Sequence, residues 1–228
     1  MCLRTKQKEP KIAQEDITCY KVLEICNPEW EVESGRKRKS KKTVLRSIYY
    51  PNFKWSIDKR YRSKLEVIQP RHIENNYAVT KAFHAYQTLE SAKSYYNTVS
   101  VTPCVIVRCI IPKGAKYCEG MHSDNKDGYA SNRIIMKEIV DFKEIYPDFD
   151  WDKYPYKQGQ LVYISDSFFP ISKFTRVNNI IPLDSNTVRL RVGLMTFYTD
   201  INGIPVSMPV NMSIPSFSIK IHNDKETK

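Results

Sequence analysis

Hydrophobic and polar residues alternate along much of this chain with the two-residue period of half-buried β-strands. The alternation from Ile17 to Ile25 predicts one strand, and the β-branched and aromatic stretch from Thr43 to Tyr50 predicts a second. Val101 to Ile111 is almost continuously apolar and predicts a central strand, which a type I turn with Pro112 second and Gly114 fourth would end. Ile134 to Val140 predicts a further strand.

A short helix and a shift in composition complete the predicted architecture. Thr88 to Tyr96 predicts the helix, because Thr88 can cap its first turn. Tyr146 to Pro155 is acidic, aromatic and interrupted by proline, which predicts a packed linker. We therefore predict an α+β domain over residues 1–145, with a mostly antiparallel sheet and one or two short helices, followed by a β-rich C-terminal extension over residues 146–228.

The C-terminal part carries the signal of a β-hairpin. Asn202-Gly203 is a favoured pair for a two-residue type I′ turn and separates Val188–Ile201 from Ile204–Met212, which predicts a hairpin at 188–212 with Ile201 opposite Ile204. The strand after the turn contains prolines and is predicted at a sheet edge. Residues 204–219 carry no charge, so this edge is open to two interpretations: it covers the chain's own core, or it is an assembly surface.

Composition places the chain among globular proteins and confines its charge to one segment. The 228 residues are 41% hydrophobic and 27% charged, which excludes a chain that is disordered throughout. The formal net charge is +11. Residues 36–64 hold twelve basic residues and one acidic residue, so their balance of 12 − 1 = +11 equals that of the whole chain.

Aromatic residues are interleaved with the basic residues of this segment, a combination typical of nucleic-acid binding. Clustered cations bind phosphates and aromatic rings stack on unpaired bases. The alternatives are a solvated charged loop beside core aromatics, and a nuclear-localisation signal. The candidate residues for nucleic-acid or phosphate binding are Arg36, Lys37, Arg38, Lys39, Lys41, Lys42, Arg46, Lys54, Trp55, Lys59, Arg60 and Arg62.

Motifs of metal, nucleophilic and membrane chemistry are missing from the sequence. The six cysteines form no C-x-x-C pair and the four histidines no H-x-x-x-H pair, so we predict no metal site, no cofactor and no catalytic residue. Unpaired cysteines favour a reducing, cytoplasmic setting, and the longest uncharged stretch contains prolines that argue against a membrane helix. We therefore expect no membrane partner.

The N-terminal two thirds resembles a group of small uncharacterised proteins of gut Bacteroidota and their phages. The resemblance rests on Met1-Cys2, Gln7–Pro10, Ala13–Leu23, Ala82–Tyr86, Val105–Tyr117 and Tyr129–Asn132. It implies a shared N-terminal fold and a link to phages or mobile elements, and it carries no activity.

A weaker similarity is to ADP-ribosyltransferases. Ile111–Gly114 before the strand Ile134–Val140 has the spacing of that family, but Ala130–Arg133 lacks the glutamate motif that precedes the later strand. The similarity implies an inactive relative that binds a nucleotide-like ligand. The candidate residues of such a ligand pocket are Tyr20, Lys21, Phe83, His84, Tyr86 and Asn132.

These observations favour a non-enzymatic accessory binding protein that engages nucleic acid or a polyphosphate or nucleotide ligand through residues 36–64. An ADP-ribosyltransferase-like enzyme or its inactive relative is one alternative. A structural or virion-associated assembly protein, using the C-terminal hairpin for a protein partner or for self-association, is the other.

Overall fold

The described strands of this chain belong to two sheets, one in each of two units. The first unit takes Met1–Cys26, Lys42–Thr98 and Val105–Asp141, and the second takes Asn27–Lys41, Val99–Cys104 and Phe142–Lys228. The computed structural model describes residues 3–26, 44–48, 53–69, 77–98, 103–158, 160–166, 173–192, 195–206 and 217–221. The sequence predicted a boundary after residue 145, and the long segment of the second unit begins at Phe142.

Within the described ranges, an antiparallel sheet of thirteen strands and one helix build the first unit. Its elements are β1 (Leu3–Thr5), β2 (Lys11–Ile12), β3 (Ile17–Cys26), β4 (Val44–Ser47), β5 (Lys54–Trp55), β6 (Arg60–Arg62), β7 (Glu66–Ile68), β8 (Tyr77–Thr80), β9 (Phe83–Tyr86), α1 (Leu89–Thr98), β10 (Cys104–Ile111), β11 (Lys116–Met121), β12 (Asp127–Ser131) and β13 (Arg133–Ile139). The strand order is β6-β13-β10-β3-β9-β12-β11-β1-β8-β7, with β2 beside β11, β4 beside β3 and β5 beside β4.

The second unit is a five-stranded antiparallel sheet preceded by one helical turn. Its elements are α2 (Phe142–Ile145), β14 (Leu161–Asp166), β15 (Lys173–Pro182), β16 (Thr187–Val192), β17 (Met195–Asp200) and β18 (Phe217–Ile221), in the order β17-β16-β15-β14-β18. Before the first strand of this sheet, Tyr146, Phe149, Tyr154 and Tyr156 are buried, so the predicted linker does pack.

The predicted mostly antiparallel sheet with one or two short helices is confirmed in the described part of the chain. Strands dominate both units, so the fold is β-rich to a greater degree than the α+β prediction implies. The predicted helix is α1, and the Thr88 hydroxyl accepts the Ser91 N–H at 3.1 Å as its N-cap. No described helix is long and apolar enough to cross a membrane.

The core of the first unit follows from the alternation that predicts its strands. Cys19 and Leu23 of β3 are buried on one face, and Val105 to Ile111 of β10 packs beside them. Leu45 and Trp55, which are paired across β4 and β5, also belong to this core. Both strands lie in the basic segment, residues 36–64, so the inner faces of β4 and β5 form part of the core.

Both predicted turns at glycine form, with registers that differ from the prediction. The prediction of one strand from Val188 to Ile201 is wrong, because β16 and β17 pair with each other inside that range. At the Asn202-Gly203 turn, Thr199 pairs with Pro205, so the loop has three residues and Gly203 alone adopts a left-handed φ of 77°. Ile201 is therefore not opposite Ile204.

The reason for the three-residue loop is the Asp200 carboxylate. Its Oδ1 accepts the N–H groups of Asn202 and Ile204 at 2.8 Å each, which stabilises a turn that begins at Asp200. Residues 207–212 of the predicted edge strand from Ile204 to Met212 lie outside the described part. Its role as an assembly surface stays a prediction.

The turn after β10 is also displaced by one residue. The Ala115 N–H donates to the Pro112 carbonyl at 2.9 Å, so Pro112 is the first residue of the turn and Gly114, with a φ of 75°, is the third. The predicted type I turn with glycine fourth is wrong. A third position with positive φ favours glycine because its missing side chain removes the steric cost.

Candidate functional site

The first unit contains a cavity of about 460 Å³. This volume is within the range of small-molecule sites, about 300–1,000 Å³. Its described lining residues are Tyr20, Lys21, Val22, Leu23, Ser47, Ile48, Phe53, Trp55, Ser63, Thr80, Lys81, Ala82, Phe83, His84, Ala85, Tyr86, Tyr95 and His122. Eight of these eighteen residues carry an aromatic or imidazole ring, and the formally charged side chains among them are Lys21 and Lys81. The lining therefore suits a ligand with a planar ring.

Strand β3 places an amine in this cavity. Lys21 lies between Cys19 and Leu23 on the face that forms the core, so its ammonium group enters an apolar environment. Its Nζ donates to the His84 carbonyl and stands 5.2 Å from the centroid of the Trp55 ring. Burial lowers the pKa of Lys21, while the thiols of Cys109 and Cys19 act in the opposite direction.

Lys81, the second lysine of the lining, is in a different environment. It is exposed and forms an ion pair with Glu66, with 2.9 Å between Nζ and Oε2. The two amines therefore differ in solvation and in charge partner. Lys21 contacts a backbone carbonyl and an indole ring, whereas Lys81 has a carboxylate.

Two histidines of the cavity lining, His84 and His122, have their ring centroids 6.0 Å apart. His122 Nε2 is 3.0 Å from the Ala85 carbonyl, which can only accept, so Nε2 carries the hydrogen and Nδ1 is an acceptor. Burial lowers the pKa of His122, and burial followed by the charge of Lys21 lowers the pKa of His84 to about 3. Both imidazoles are therefore neutral at physiological pH.

The Nδ1 atoms of His84 and His122 and the Nε1 atom of Trp55 are buried without a hydrogen-bond partner among the described residues. Buried polar atoms normally have partners. These three atoms belong to residues that line the same cavity, so buried hydrogen-bonding groups without a described partner are grouped there. Gly128 contributes to this arrangement, because a Cβ there would lie 2.0 Å from His122 Nε2.

Four rings form an aromatic cluster at one side of the cavity: Phe53, Trp55, Tyr61 and Phe83. The Trp55 centroid lies 4.6 Å from Phe53, 4.7 Å from Tyr61 and 5.5 Å from Phe83. Trp55 is only 5% exposed, whereas Phe53 is 39% exposed. Phe53 is therefore the most exposed ring of this cluster, while Tyr61 and Phe83 are partly buried.

The predicted pocket residues converge, with one exception. Tyr20, Lys21, Phe83, His84 and Tyr86 all line the cavity, although β3 and β9 are more than fifty residues apart in the chain. Asn132 does not line it. Its side chain accepts the Lys116 N–H at 2.9 Å and its carbonyl accepts the Ser63 N–H, so Asn132 joins backbone segments.

The basic and aromatic residues of the charged segment separate onto two faces. Trp55 and Tyr61 point into the core, while Lys54, Arg60 and Arg62, one residue away on the same strands, are exposed. The alternation of a half-buried strand produces this separation. The predicted interleaving of cations and stacking rings therefore does not form one mixed surface, and Trp55 belongs to the cavity wall.

Two like-charged pairs face each other across the strands of this segment. Arg46 pairs with Lys54 and Arg62 pairs with Arg133. Like charges directly opposite in an antiparallel pair destabilise the sheet. Lys54, Lys59, Arg60 and Arg62 form no ion pair with any described acidic residue, and Lys59 lies 5.5 Å from the Tyr61 ring centroid.

The remaining predicted basic residues, Arg36 to Lys42, lie outside the described part of the chain.

Sequence reasoning missed His122 and Tyr95 of the cavity. A signal for Lys21 was present, because a lysine interrupts the apolar face of β3 between Cys19 and Leu23. No local signal marks His122, whose position depends on the pairing of β11, β12 and β9.

Comparison of the chain with protein-family models, curated proteins and solved structures gives no match. Among the described residues, no three His, Cys, Asp or Glu side chains are grouped so that they could hold a metal ion. The site is therefore interpreted from its own geometry.

Proposed function

We propose that this protein binds nucleic acid or a phosphate-bearing ligand, with the cationic side chains of residues 36–64 as its phosphate contacts. The observation that carries the proposal is the exposed face of β5 and β6, where Lys54, Arg60 and Arg62 have no described carboxylate partner. The two strands are not paired, but their Trp55 and Tyr61 rings are in contact on the inner side, with centroids 4.7 Å apart, so the cations are spread over one region of the unit. Such a spread suits a polyanion more than a single ion, because each cation can neutralise a separate phosphate.

The like-charged pair Arg62–Arg133 supports the same proposal. The two arginines are directly opposite in the antiparallel pair, an arrangement that disfavours the sheet when both side chains are charged, and a phosphate bound by both would offset this cost. A protein that binds a polyanion gains affinity from such a pair, since the ligand relieves repulsion and releases counterions at once.

A second candidate is a nucleotide unit in the cavity. The convergence of Tyr20, Lys21, Phe83, His84 and Tyr86 favours it, as the similarity to ADP-ribosyltransferases implied. The segment that carries the cations also supplies Phe53 and Trp55 to the cavity wall. One ligand with a planar base and phosphates could thus use both sides of the same segment.

Salt-dependent binding to single-stranded DNA and RNA tests the first proposal. The variant K54Q/R60Q/R62Q removes three exposed cations, and each single-strand phosphate contact contributes about 0.7 to the slope of log affinity against log salt, so the slope should flatten by about 2. The control K8Q/K113Q/K157Q removes the same charge from exposed lysines outside residues 36–64. Equal slopes for both variants would refute the assignment.

A second variant tests the part of the segment outside the described residues. Replacing Lys37, Arg38, Lys39, Lys41 and Lys42 with Gln should flatten the slope further, because five positive charges are lost. Affinity and slope equal to those of the parent protein would exclude this run from the interface.

Titration with fluorescent mononucleotides tests the cavity. Phe53→Ser should weaken binding about fivefold or more, since a stacking ring contributes about 1–3 kcal/mol per base. Ile68→Ser, at another exposed apolar position, is the matched control. With NAD we expect binding without nicotinamide release, and release that is lost on changing Tyr20 or His84 would favour the enzymatic alternative.

A further inference from the structure

Lys21 combines features that are uncommon for a lysine. Its side chain is only partly accessible, its amine contacts the His84 carbonyl and the Trp55 face, and the titratable groups that act on its charge are the Cys19 and Cys109 thiols. No described carboxylate forms an ion pair with it. The contacts with the carbonyl and the indole face favour the ammonium form, but burial outweighs them and lowers the pKa of Lys21, so this lysine loses its proton more easily than a surface lysine does. The neutral amine is a nucleophile.

We propose that Lys21 is a covalent anchoring residue, whose Nζ forms a reversible imine with a small ring-bearing aldehyde that enters the cavity. The proposal goes beyond phosphate binding by residues 36–64, because it depends on the inner face of β3 and on the cavity walls. The aldehyde class follows from the amine, and the planar ring follows from the aromatic lining.

The step balances without an oxidant or a reductant. The lone pair of the neutral Lys21 amine attacks the carbonyl carbon, the C=O π bond breaks, and a proton moves from nitrogen to oxygen to give a carbinolamine. The C–OH bond then breaks, the hydroxyl leaves as water with the second proton of the amine, and a C=N bond forms.

The groups around Lys21 suit this reaction. His84 and His122 stay neutral, so they add no second cation beside the amine. The Phe53 and Phe83 rings, 6.3 Å apart at their centroids and both more exposed than Trp55, provide an apolar wall on which a planar aldehyde can pack. The cavity volume of about 460 Å³ accommodates a molecule of one or two rings.

The experiment uses pyridoxal as the probe, because it has a planar ring and an aldehyde but no phosphate. The full chain is incubated with pyridoxal near neutral pH and reduced with borohydride, and the adduct is mapped by peptide mass spectrometry. We expect the adduct on Lys21 at pyridoxal concentrations that leave Lys81 unmodified. Lys81 is the internal control, since it lines the same cavity but is exposed and ion-paired with Glu66.

Two variants complete the test. Lys21→Arg should abolish the cavity adduct while Lys81→Arg retains it, and hydrogen exchange of β3 reports whether each variant is folded. An adduct spread over exposed lysines, with Lys21 unmodified in the parent protein, would overturn the proposal. The same variants distinguish a failure of this proposal from a failure of the proposed phosphate binding. K54Q/R60Q/R62Q should keep the pyridoxal adduct on Lys21, and Lys21→Arg should keep the salt dependence of nucleic-acid binding.

Discussion

Acid should destabilise the first unit through His84. Folding lowers the pKa of His84 from 6.5 to about 3, because the ring is buried and Lys21 and His122 lie nearby. Between these two values the unfolded chain binds a proton that the folded chain does not. The stabilisation is therefore complete above pH 6.5 and is lost progressively as the pH falls toward about 3.

The magnitude follows from the pKa difference. One pH unit of differential protonation corresponds to about 1.4 kcal/mol, so lowering the pH from about 7.5 to about 4.5 should remove about 2.7 kcal/mol through this group. His84→Gln eliminates the titration while keeping a polar side chain at the position. Carboxylates and His122 titrate in both proteins, so the difference between the two pH dependences isolates His84.

Hydrogen exchange of the β9 segment in urea measures this difference, because it reports the opening of the first unit without interference from the second. The parent protein should lose about 2–3 kcal/mol more opening free energy than His84→Gln over the same pH interval. Parallel pH dependences in the two proteins would show that His84 is protonated equally in both states, and the assigned burial would be wrong.

Three substitutions test local features by urea unfolding. Gly128→Ala should lower the free energy of unfolding by roughly 1–3 kcal/mol, because its Cβ would overlap His122 Nε2. Adding His122→Ala should recover part of that loss, and strictly additive effects of the two substitutions would contradict the contact. Thr88→Ala should cost about 1 kcal/mol through loss of the helix cap, whereas Thr88→Ser should cost little; equal losses would exclude the hydroxyl bond. Gly203→Ala should cost more than about 1 kcal/mol because of its left-handed φ, and the approach of its Cβ to Pro155 should add to this cost. An unchanged urea midpoint would contradict this turn geometry.

Local patterns in the sequence determined four of the thirteen described strands of the first unit, β3, β4, β10 and β13. The alternation of β3, the apolar stretch of β10 and the cap of α1 are properties of a few consecutive residues, so they can be predicted without knowledge of the rest of the chain. Short connections explain the antiparallel pairs β7–β8 and β11–β12, whereas most neighbouring strands of this sheet, such as β9 and β3, come from distant segments.

Turn registers were harder to predict, because one side chain can change them. Asn202-Gly203 alone favours a two-residue loop, yet the Asp200 carboxylate accepts two N–H groups and fixes a loop of three residues. The competing loops share the same residues and differ by one position in strand pairing, so composition does not distinguish them.

The tertiary structure alone decided which chemistry the charged segment can perform. The sequence showed cations and aromatic rings in alternation and predicted one mixed binding surface, whereas the sheet turns Trp55 and Tyr61 into the core and leaves Arg60 and Arg62 outside. The cavity has the same origin: Lys21 meets the carbonyl of His84 because β3 and β9 are neighbours in the sheet. Alternation along a strand is local and is written in the sequence, but the partner that each face meets depends on strand pairings between distant segments.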